Sequence, residues 1–452
     1  MHVDGVALPP GPRGPALLTM IRSGLRPDAY VEACARRYGD TYTFRLPAHP
    51  PIVNFGHPDA IRDILTGDPE TLRAGESNFE LQPILGDHSL LLLDGARHLR
   101  ERRLMLPPFH GERMQAYGRL MRDLTDRVID EWPVGRPFPI HTAMQRLTLD
   151  VILRAVFGLD EGATLDRLRT ALLRLVRFAT GPVGLLLFIP GLNANLGPLS
   201  PAGHFVRLKE AVDRLLYAEI AARRADGDPA RNDILSLLLE ARYEDGSAMP
   251  DEALRDEMMT LLLAGHETTA TSLAWTFHYL LGREDVLAEL AAERRQVAGD
   301  GPIEPEHLGR LEYLDAVIKE TQRLCPVVPF IGRLLKAPAR IGGYDLPAGV
   351  IASPAIWLVH RRPDVWPDPL RFTPTRFLGL RPSPYAFLPF GGGVRRCIGA
   401  AFATYEMKVV LSRILARTEL RAAPGARVRL VRRAVMFAPS NGVPVVLDRR
   451  AA

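Results

Sequence analysis

The order of apolar and polar positions sets strand-like stretches near the two ends of the chain around a long helical middle. Thr41-Tyr42-Thr43-Phe44-Arg45-Leu46 and Ile52-Val53-Asn54-Phe55 are rich in β-formers and bounded by turn residues, with Pro50-Pro51 between them. That spacing predicts a hairpin. A helical pattern through Tyr30–Cys34 precedes it and ends near Gly39; helix resumes over His57–Ile61. From Arg113 to Asp228 helix follows helix, broken at Trp132-Pro133 and Gly181-Pro182. The apolar connection Phe178–Leu192 reads either as a buried loop or as a mobile lid over an apolar channel, in contact with a membrane in the sharpest version. Pro250-Asp251 opens the longest helical segment, which runs to about Gly282; roughly thirty residues at about 1.5 Å each cross a whole domain. Its Met258–Ala264 part is apolar on nearly every face, the mark of a buried central helix. Leu311–Leu324 is amphipathic and stopped by Pro326, Ala339–Ile341 and Val350–Ser353 are short strands, and Ala401–Ala416 is helical. The end of the chain reads as strands around a turn at Pro439-Ser440-Asn441-Gly442. No repeat and no low-complexity linker divides the pattern. The expected fold is mainly α with small β-sheets: one large domain over residues 1–452, entered by a proline-rich lead over 1–22.

Composition narrows the function classes. Of the 452 residues, 47% are hydrophobic and 24% charged, which suits a globular chain with a large core. The net charge of +5 is carried mostly by arginine, with no long basic run and no basic patch interleaved with aromatics, which argues against nucleic acid. Cys34, Cys325 and Cys397 show no CxxC spacing, against a disulfide framework or a cysteine zinc site and for a reducing compartment. The first residues lack a signal-like apolar core, and no run reaches the about 18 apolar residues of a membrane span. A cytoplasmic protein without a transmembrane anchor is expected.

Four stretches carry chemistry. Phe390-Gly391-Gly392-Gly393-Val394-Arg395-Arg396-Cys397-Ile398-Gly399-Ala400 sets one cysteine among glycines and arginines. A thiolate is a strong ligand for a soft metal, and neighbouring positive charge keeps it ionised. In the central helix, Gly265-His266-Glu267-Thr268-Thr269 puts a glycine, a carboxylate and two hydroxyls where apolar residues would be cheaper. That predicts a functional interruption of the helix, with Glu267 and Thr268 handling protons and water. His98 and Arg102, four apart, share one helix face. They read as an ordinary solvated helix or, given an anionic cofactor, as a clamp for it. Glu320 and Arg323, three apart, read alone as an ion pair; Arg376 sits in the proline-rich stretch 363–377, which side chains must help to hold.

In this order the motifs resemble those of the cytochromes P450, haem-thiolate monooxygenases, over essentially the whole chain. Phe390, Gly393, Arg395, Cys397 and Gly399 match the family's haem-binding signature, and Ala264, Gly265, Glu267 and Thr268 its oxygen-activation motif. Glu320, Arg323 and Arg376 match its structural triad, and His98 and Arg102 the helix that contacts a haem propionate. One departure is Pro374-Thr375-Arg376, with threonine where the family often carries glutamate. The chain is similar to the soluble bacterial members.

The resemblance implies haem b (iron protoporphyrin IX) with Cys397 as axial thiolate, shielded by Phe390 and the Gly391-Gly392-Gly393 backbone. Gly399 and Ala264 would complete the cofactor pocket, and His98, Arg102, Arg333 and Arg395 would pair with the propionates. Glu267 and Thr268 would deliver protons to dioxygen. Substrate contact is expected from Phe79–Leu92, Phe178–Leu192, residues near Ala264, Val327–Ile331 and Met436-Phe437. Most of these are apolar, which implies a hydrophobic substrate such as a fatty acid or terpenoid. Electrons are expected from a separate ferredoxin, its reductase and NAD(P)H. Arg97, Arg100, Arg103 and Arg396 would then form a basic docking face, or else be scattered solvated arginines. The alternatives are a haem-thiolate isomerase, dehydratase or peroxygenase that needs no ferredoxin, and a non-catalytic haem sensor or carrier.

Overall fold

A computed structural model describes residues 2–109, 113–158, 162–181, 183, 197, 200–226, 231, 233–299 and 301–450. The predicted hairpin forms from β1 (Thr41–Phe44) and β2 (Ile52–Phe55), registered Phe44 to Ile52 and Thr41 to Phe55. It belongs to a five-stranded sheet with β3 (Leu72–Arg73), β4 (Arg333–Leu335) and β5 (Ile351–Pro354), in the order β1-β2-β5-β4-β3. Only β2 and β5 run parallel, with Ile52 beside Ile351 and Phe55 beside Pro354; the other pairs are antiparallel. Val53, Phe55, Leu72, Leu335 and Ala352 bury one face of this sheet in a satellite core.

The helical body holds the rest of the site. Its members used below are α1 (Gly95–Met105), α2 (Arg113–Asp130), α3 (Ile140–Phe157), α4 (Asp251–Leu280), α5 (Glu312–Leu324) and α6 (Ala400–Arg417). The predicted central helix is α4, thirty residues long. It packs along α3 and also touches α5 and α6. Leu254, Met258, Leu262, Leu273 and Phe277 of α4 and Leu147, Val151 and Leu153 of α3 are fully or almost fully buried in one large core. At roughly 25 cal/mol per Å2 of apolar surface, each such side chain contributes about 1.5–3 kcal/mol, so α4 is fixed as a beam through the domain. Among the described residues, no helix is long and apolar enough to cross a membrane.

Two expectations change. The interruption at Gly265 is not there: α4 runs unbroken through Gly265-His266-Glu267-Thr268-Thr269. Gly265 has a packing reason instead, since a Cβ at that position would stand 2.9 Å from Ile152 Cδ1 of α3. Strands flank the Pro439–Gly442 turn as expected, each paired with a different partner. Met436–Pro439 pairs with Leu430–Arg433, whereas Pro444–Arg450 lies between Thr418–Ala422 and Pro137–Pro139 in a second sheet. The apolar connection Phe79–Leu93, which reads as irregular from its sequence, instead starts inside a 3-10 turn (Glu76–Leu81) that runs into a short helix (Gln82–Leu85). Of Phe178–Leu192, read as a buried loop or a lid, Phe178 lies in the last turn of helix Ala163–Thr180 and residues 182 and 184–192 lie outside the described residues.

Candidate functional site

The cysteine loop is built from its glycines. Gly391 and Gly393 take φ of 66° and 64°, and a Cβ on Gly393 would collide with the Leu65 carbonyl oxygen, so only glycine lets the turn seat there. Gly391 N–H donates to the Leu388 carbonyl at 3.1 Å, Cys397 N–H to the Phe390 carbonyl at 2.9 Å and Arg396 N–H to the Gly393 carbonyl at 3.1 Å. These bonds close the turn and deliver Cys397 three residues before α6, whose N-terminal cap is Gly399. The Cys397 side chain is accessible. Surrounding protein still raises its thiol pKa by desolvation, while the Gly399 N–H, Arg102 and Arg396 pull it back down. The positive end of the helix dipole acts in the same direction, towards thiolate.

On α4, Ala264 is exposed and Leu263, Gly265 and Thr268 are half-exposed, midway along a helix that is otherwise buried. Ala264 and Thr268 share a face at i and i+4, and the Thr268 hydroxyl donates to the Ala264 carbonyl at 2.6 Å. Glu267, adjacent in sequence, is turned about 100° away and buried against α3. Gln145 Nε2 donates to its carboxylate at 2.6 Å, and His141 Nε2 stands 3.5 Å off. Burial, Arg433 and His266 push the His141 pKa down to about 4, so that imidazole is neutral at pH 7. The two residues expected to work as a pair therefore sit on different walls. Gln145 and His141 were not found by sequence reasoning, because nothing in the local pattern of α3 separates them from other polar helix positions.

The expected anion-binding residues converge. His98 is buried, and its pKa is pushed down to about 3 by desolvation and by Arg395, Arg102 and Arg333. Arg333, also buried, is lowered to about 10 by desolvation and then Arg395, with Asp94 opposing. Arg395 is lowered to about 10 by desolvation, again opposed by Asp94, with Arg102 adding to the fall. Asp94 stands 3.4 Å from Arg395 and accepts the Ala74, Gly75 and Glu76 N–H groups at 2.8–2.9 Å. Arg395 also donates to the Leu90 carbonyl at 3.3 Å. Arg333 and Arg395 thus share the Asp94 carboxylate, and Arg395, Arg102 and Arg333 together depress His98. Such a cluster calls for added negative charge. Nothing in the local sequence marks Asp94, because its three accepted N–H bonds link segments about twenty residues apart.

The ion-pair motif on α5 is a buried hub. Arg323 donates to both Glu320 oxygens at 2.7 and 2.9 Å and to the carbonyls of His360, Pro369 and Arg371 at 2.7, 2.7 and 3.3 Å. Arg376 donates to Glu320 at 3.0 Å and to the Pro367 carbonyl at 2.9 Å, and Thr373 N–H reaches Glu320 at 2.8 Å. The surface-pair reading fails, since Glu320 and Arg323 have no exposed side-chain surface. Threonine at position 375 leaves these bonds intact. Sequence reasoning also missed His360, which is fully buried. Its Nδ1 stands 3.2 Å from the Arg323 carbonyl, and its Nε2 accepts the Leu388 N–H at 2.8 Å. It joins the hub to the strand of chain that leads into the cysteine loop.

The family model described as Cytochrome P450 matches residues 9–443. The chain belongs to the cytochrome P450 family. A Mycobacterium tuberculosis protein named cytochrome P450 135B1 is 41% identical over 447 residues, 98% of this chain and 92% of that one. Another from the same organism, named cytochrome P450 138, is 37% identical over 98% of this chain and 97% of its own length. Among solved structures, the retinoic-acid-bound cyanobacterial CYP120A1 superposes with a TM-score of 0.86 at 25% identity, covering 99% of this chain and all of that one. The cytochrome P450DA haem domain, at 24% identity and a TM-score of 0.85, shares the fold.

A cytochrome P450 is a haem-containing monooxygenase. The residues of this P450 fit that group: an accessible cysteine on a glycine turn, a cation cluster short of negative charge, and a central helix that carries only a methyl group at Ala264. Of the expected substrate contacts, Phe79 and Leu91 are exposed. Phe437 is not available: it is buried with Val31 and Trp357, its ring centroid 5.3 Å from that of Trp357.

Proposed function

We propose that this P450 inserts one atom of dioxygen into a hydrophobic, lipid-like substrate, with two electrons from a ferredoxin-type donor. The balance is substrate C–H plus dioxygen, two electrons and two protons giving the alcohol and water. The observation that carries this reading is the meeting of His98, Arg102, Arg333 and Arg395 around a site short of negative charge, with Cys397 three residues before α6. In it Cys397 Sγ would be the metal ligand, and Arg102, Arg333 and Arg395 would hold the two propionates through charge-assisted hydrogen bonds, with the neutral His98 imidazole adding a ring N–H. Haem, when bound, supplies the cleavage of the O–O bond and the oxidation.

The chain's own residues orient and exclude. The exposed Ala264 would leave room for the cofactor beside α4, and the Thr268 hydroxyl, tethered to the Ala264 carbonyl, can accept one proton and pass on another at Oγ1. Glu267, next to Thr268 in sequence and held by Gln145, is the buried carboxylate that would recharge that hydroxyl. The apolar Phe79–Leu92 stretch and the likeness to a retinoic-acid-bound P450 support a lipid-like substrate class, retinoids and fatty acids included.

The electron donor docks on α1. Arg97 and Arg396 are exposed and enter no ion pair among the described residues. Arg100 and Arg103 are paired with Asp245 at 3.1 Å and Glu244 at 2.5 Å, so the basic face is narrower than the sequence implies.

The test is a spin-state titration of the purified holoprotein against fatty acids, terpenoids, retinoids, steroids and macrolides, followed by turnover of any substrate found. Product with ferredoxin, reductase and NAD(P)H but not with peroxide alone supports the reading. Product with peroxide alone, or an unchanged reduced carbon monoxide spectrum in Cys397→Ala, overturns it.

A further inference from the structure

The first long helix of the chain, Ala16–Leu25, is packed inside out. Its buried residues are polar: Thr19 is 7% exposed and Ser23 6%. Its exposed residues are apolar: Leu17 is 54% exposed, Leu18 41%, Ile21 46% and Leu25 70%. At about 100° per residue these four lie within an arc of about 100°, a single stripe. A surface helix normally turns such a stripe to the core. Here the opposite orientation is held by Thr19, which hydrogen-bonds the Tyr30 hydroxyl of the next helix, while the buried Ser23 hydroxyl is satisfied inside its own helix by the Met20 carbonyl at 3.1 Å. The helix packs on its successor Pro27–Tyr38 and on strand Leu430–Arg433.

The charge around the stripe has one sign. Arg13, Arg22 and Arg26 flank it, and Arg427 and Arg429 line a cleft with Leu25 and Arg26 beside it. All five are exposed, and none enters an ion pair among the described residues. Neither residues 13–26 nor residues 427–433 include an aspartate or glutamate.

We infer that this face docks on an anionic lipid bilayer, with Leu17, Leu18, Ile21 and Leu25 in the acyl boundary and the arginines among the headgroups. The helix is too short to span, since ten residues at about 1.5 Å reach about 15 Å against a hydrocarbon core of about 30 Å. It lies in the interface plane, as amphipathic helices with a basic rim do. A second copy of the chain does not satisfy the same face, because a two-fold contact would set arginine rim against arginine rim. A bilayer meets both demands, apolar and anionic. The docking face stands on these residues alone and does not depend on the substrate reading; its consequence is that a lipid-like substrate would be met at the membrane.

Flotation of the holoenzyme with vesicles tests it, using phosphatidylcholine alone and phosphatidylcholine with about 30% phosphatidylglycerol. The expected result is about tenfold more protein on the anionic vesicles, weakened by high salt. Leu17→Ser/Ile21→Ser/Leu25→Ser should lose about tenfold of that binding while keeping its haem and thermal midpoint. Arg22→Glu/Arg26→Glu should lose the preference for anionic lipid, and it carries the test if the serine variant does not fold. The inference is overturned by equal binding to both vesicles, by no binding, or by serine and glutamate variants that bind like the parent. It is also overturned by a dimer in light scattering that the serine variant abolishes, which would assign the face to a second copy. An acidic protein that binds this face while vesicles do not overturns it too.

Discussion

His360 gives the sharpest test of how the cysteine loop is held. Its ring is fully buried, with Nε2 accepting the Leu388 N–H and Nδ1 donating to the Arg323 carbonyl, an arrangement only the neutral imidazole can make. A second proton would set Nε2 donor against donor beside Arg361 and Arg323, and burial with these charges pushes the pKa down to about 3. The perturbation is His360→Leu. It strands two buried backbone groups at about 1–3 kcal/mol each, so a loss of about 2–6 kcal/mol is expected. That is a large part of the about 5–15 kcal/mol that holds a typical fold. Acid dependence gives a second reading. Below about pH 6.5 the unfolded chain binds a proton at residue 360 and the folded chain does not, so stability falls as pH falls, until the folded pKa near 3. The slope is about 1.4 kcal/mol per pH unit, or about 2 kcal/mol between pH 6.5 and 5. His98 and His141 add slopes of the same sign, but these are common to parent and variant and cancel in the difference. The assay is denaturant unfolding of both proteins at about pH 7.5 and about pH 5. The variant should be less stable at the higher pH and lose about 2 kcal/mol less on acidification. Equal stability at neutral pH, or equal acid loss, would refute the reasoning.

The remaining expectations are more direct. Arg323→Ala removes a buried pair and three carbonyl contacts, a cost of about 3–5 kcal/mol or more, and should give haem-depleted, poorly folded protein; a well-folded holoprotein would contradict the hub. Gly393→Ala forces a side chain into positive φ against the Leu65 carbonyl and should lower haem content and thermal midpoint together, whereas Gly299→Ala, with open space around its Cβ, should spare the haem. Thr268→Ala should keep haem and substrate binding but divert electrons to peroxide, measured as product per NAD(P)H consumed; unchanged coupling would take Thr268 out of proton transfer.

Much of the site was legible because its residues occur in short runs with fixed spacing. The glycine loop around Cys397, the i and i+3 pair Glu320 and Arg323, and the i and i+4 pair His98 and Arg102 each announce themselves within one or two turns. The hairpin Thr41–Phe55 and the beam Asp251–Leu280 were legible from hydrophobic period alone. What was not legible depends on contacts across the chain. Gly265 looked like a break in α4 because the approach of Ile152 cannot be read from α4 itself. His360 hid in an ordinary Val359-His360-Arg361 run, and its two partners are 37 and 28 residues away. The apolar stripe of Ala16–Leu25 was visible as residues, but its outward orientation belongs to tertiary packing.

The parallel pairing of β2 with β5 also bears on how the molecule comes to exist. Ile52 finds Ile351 only after about three hundred further residues have been made, which at about 5–20 residues per second is about 15–60 s of synthesis. Through that interval the hairpin of β1 and β2 has an open edge, and loop closure over such a span is slow. The cofactor's cradle matures later still, since Arg333, Arg395 and Cys397 all emerge after α4. Haem insertion is therefore a late event, and an apoprotein caught before it should be prone to aggregation through the unpaired β2 edge.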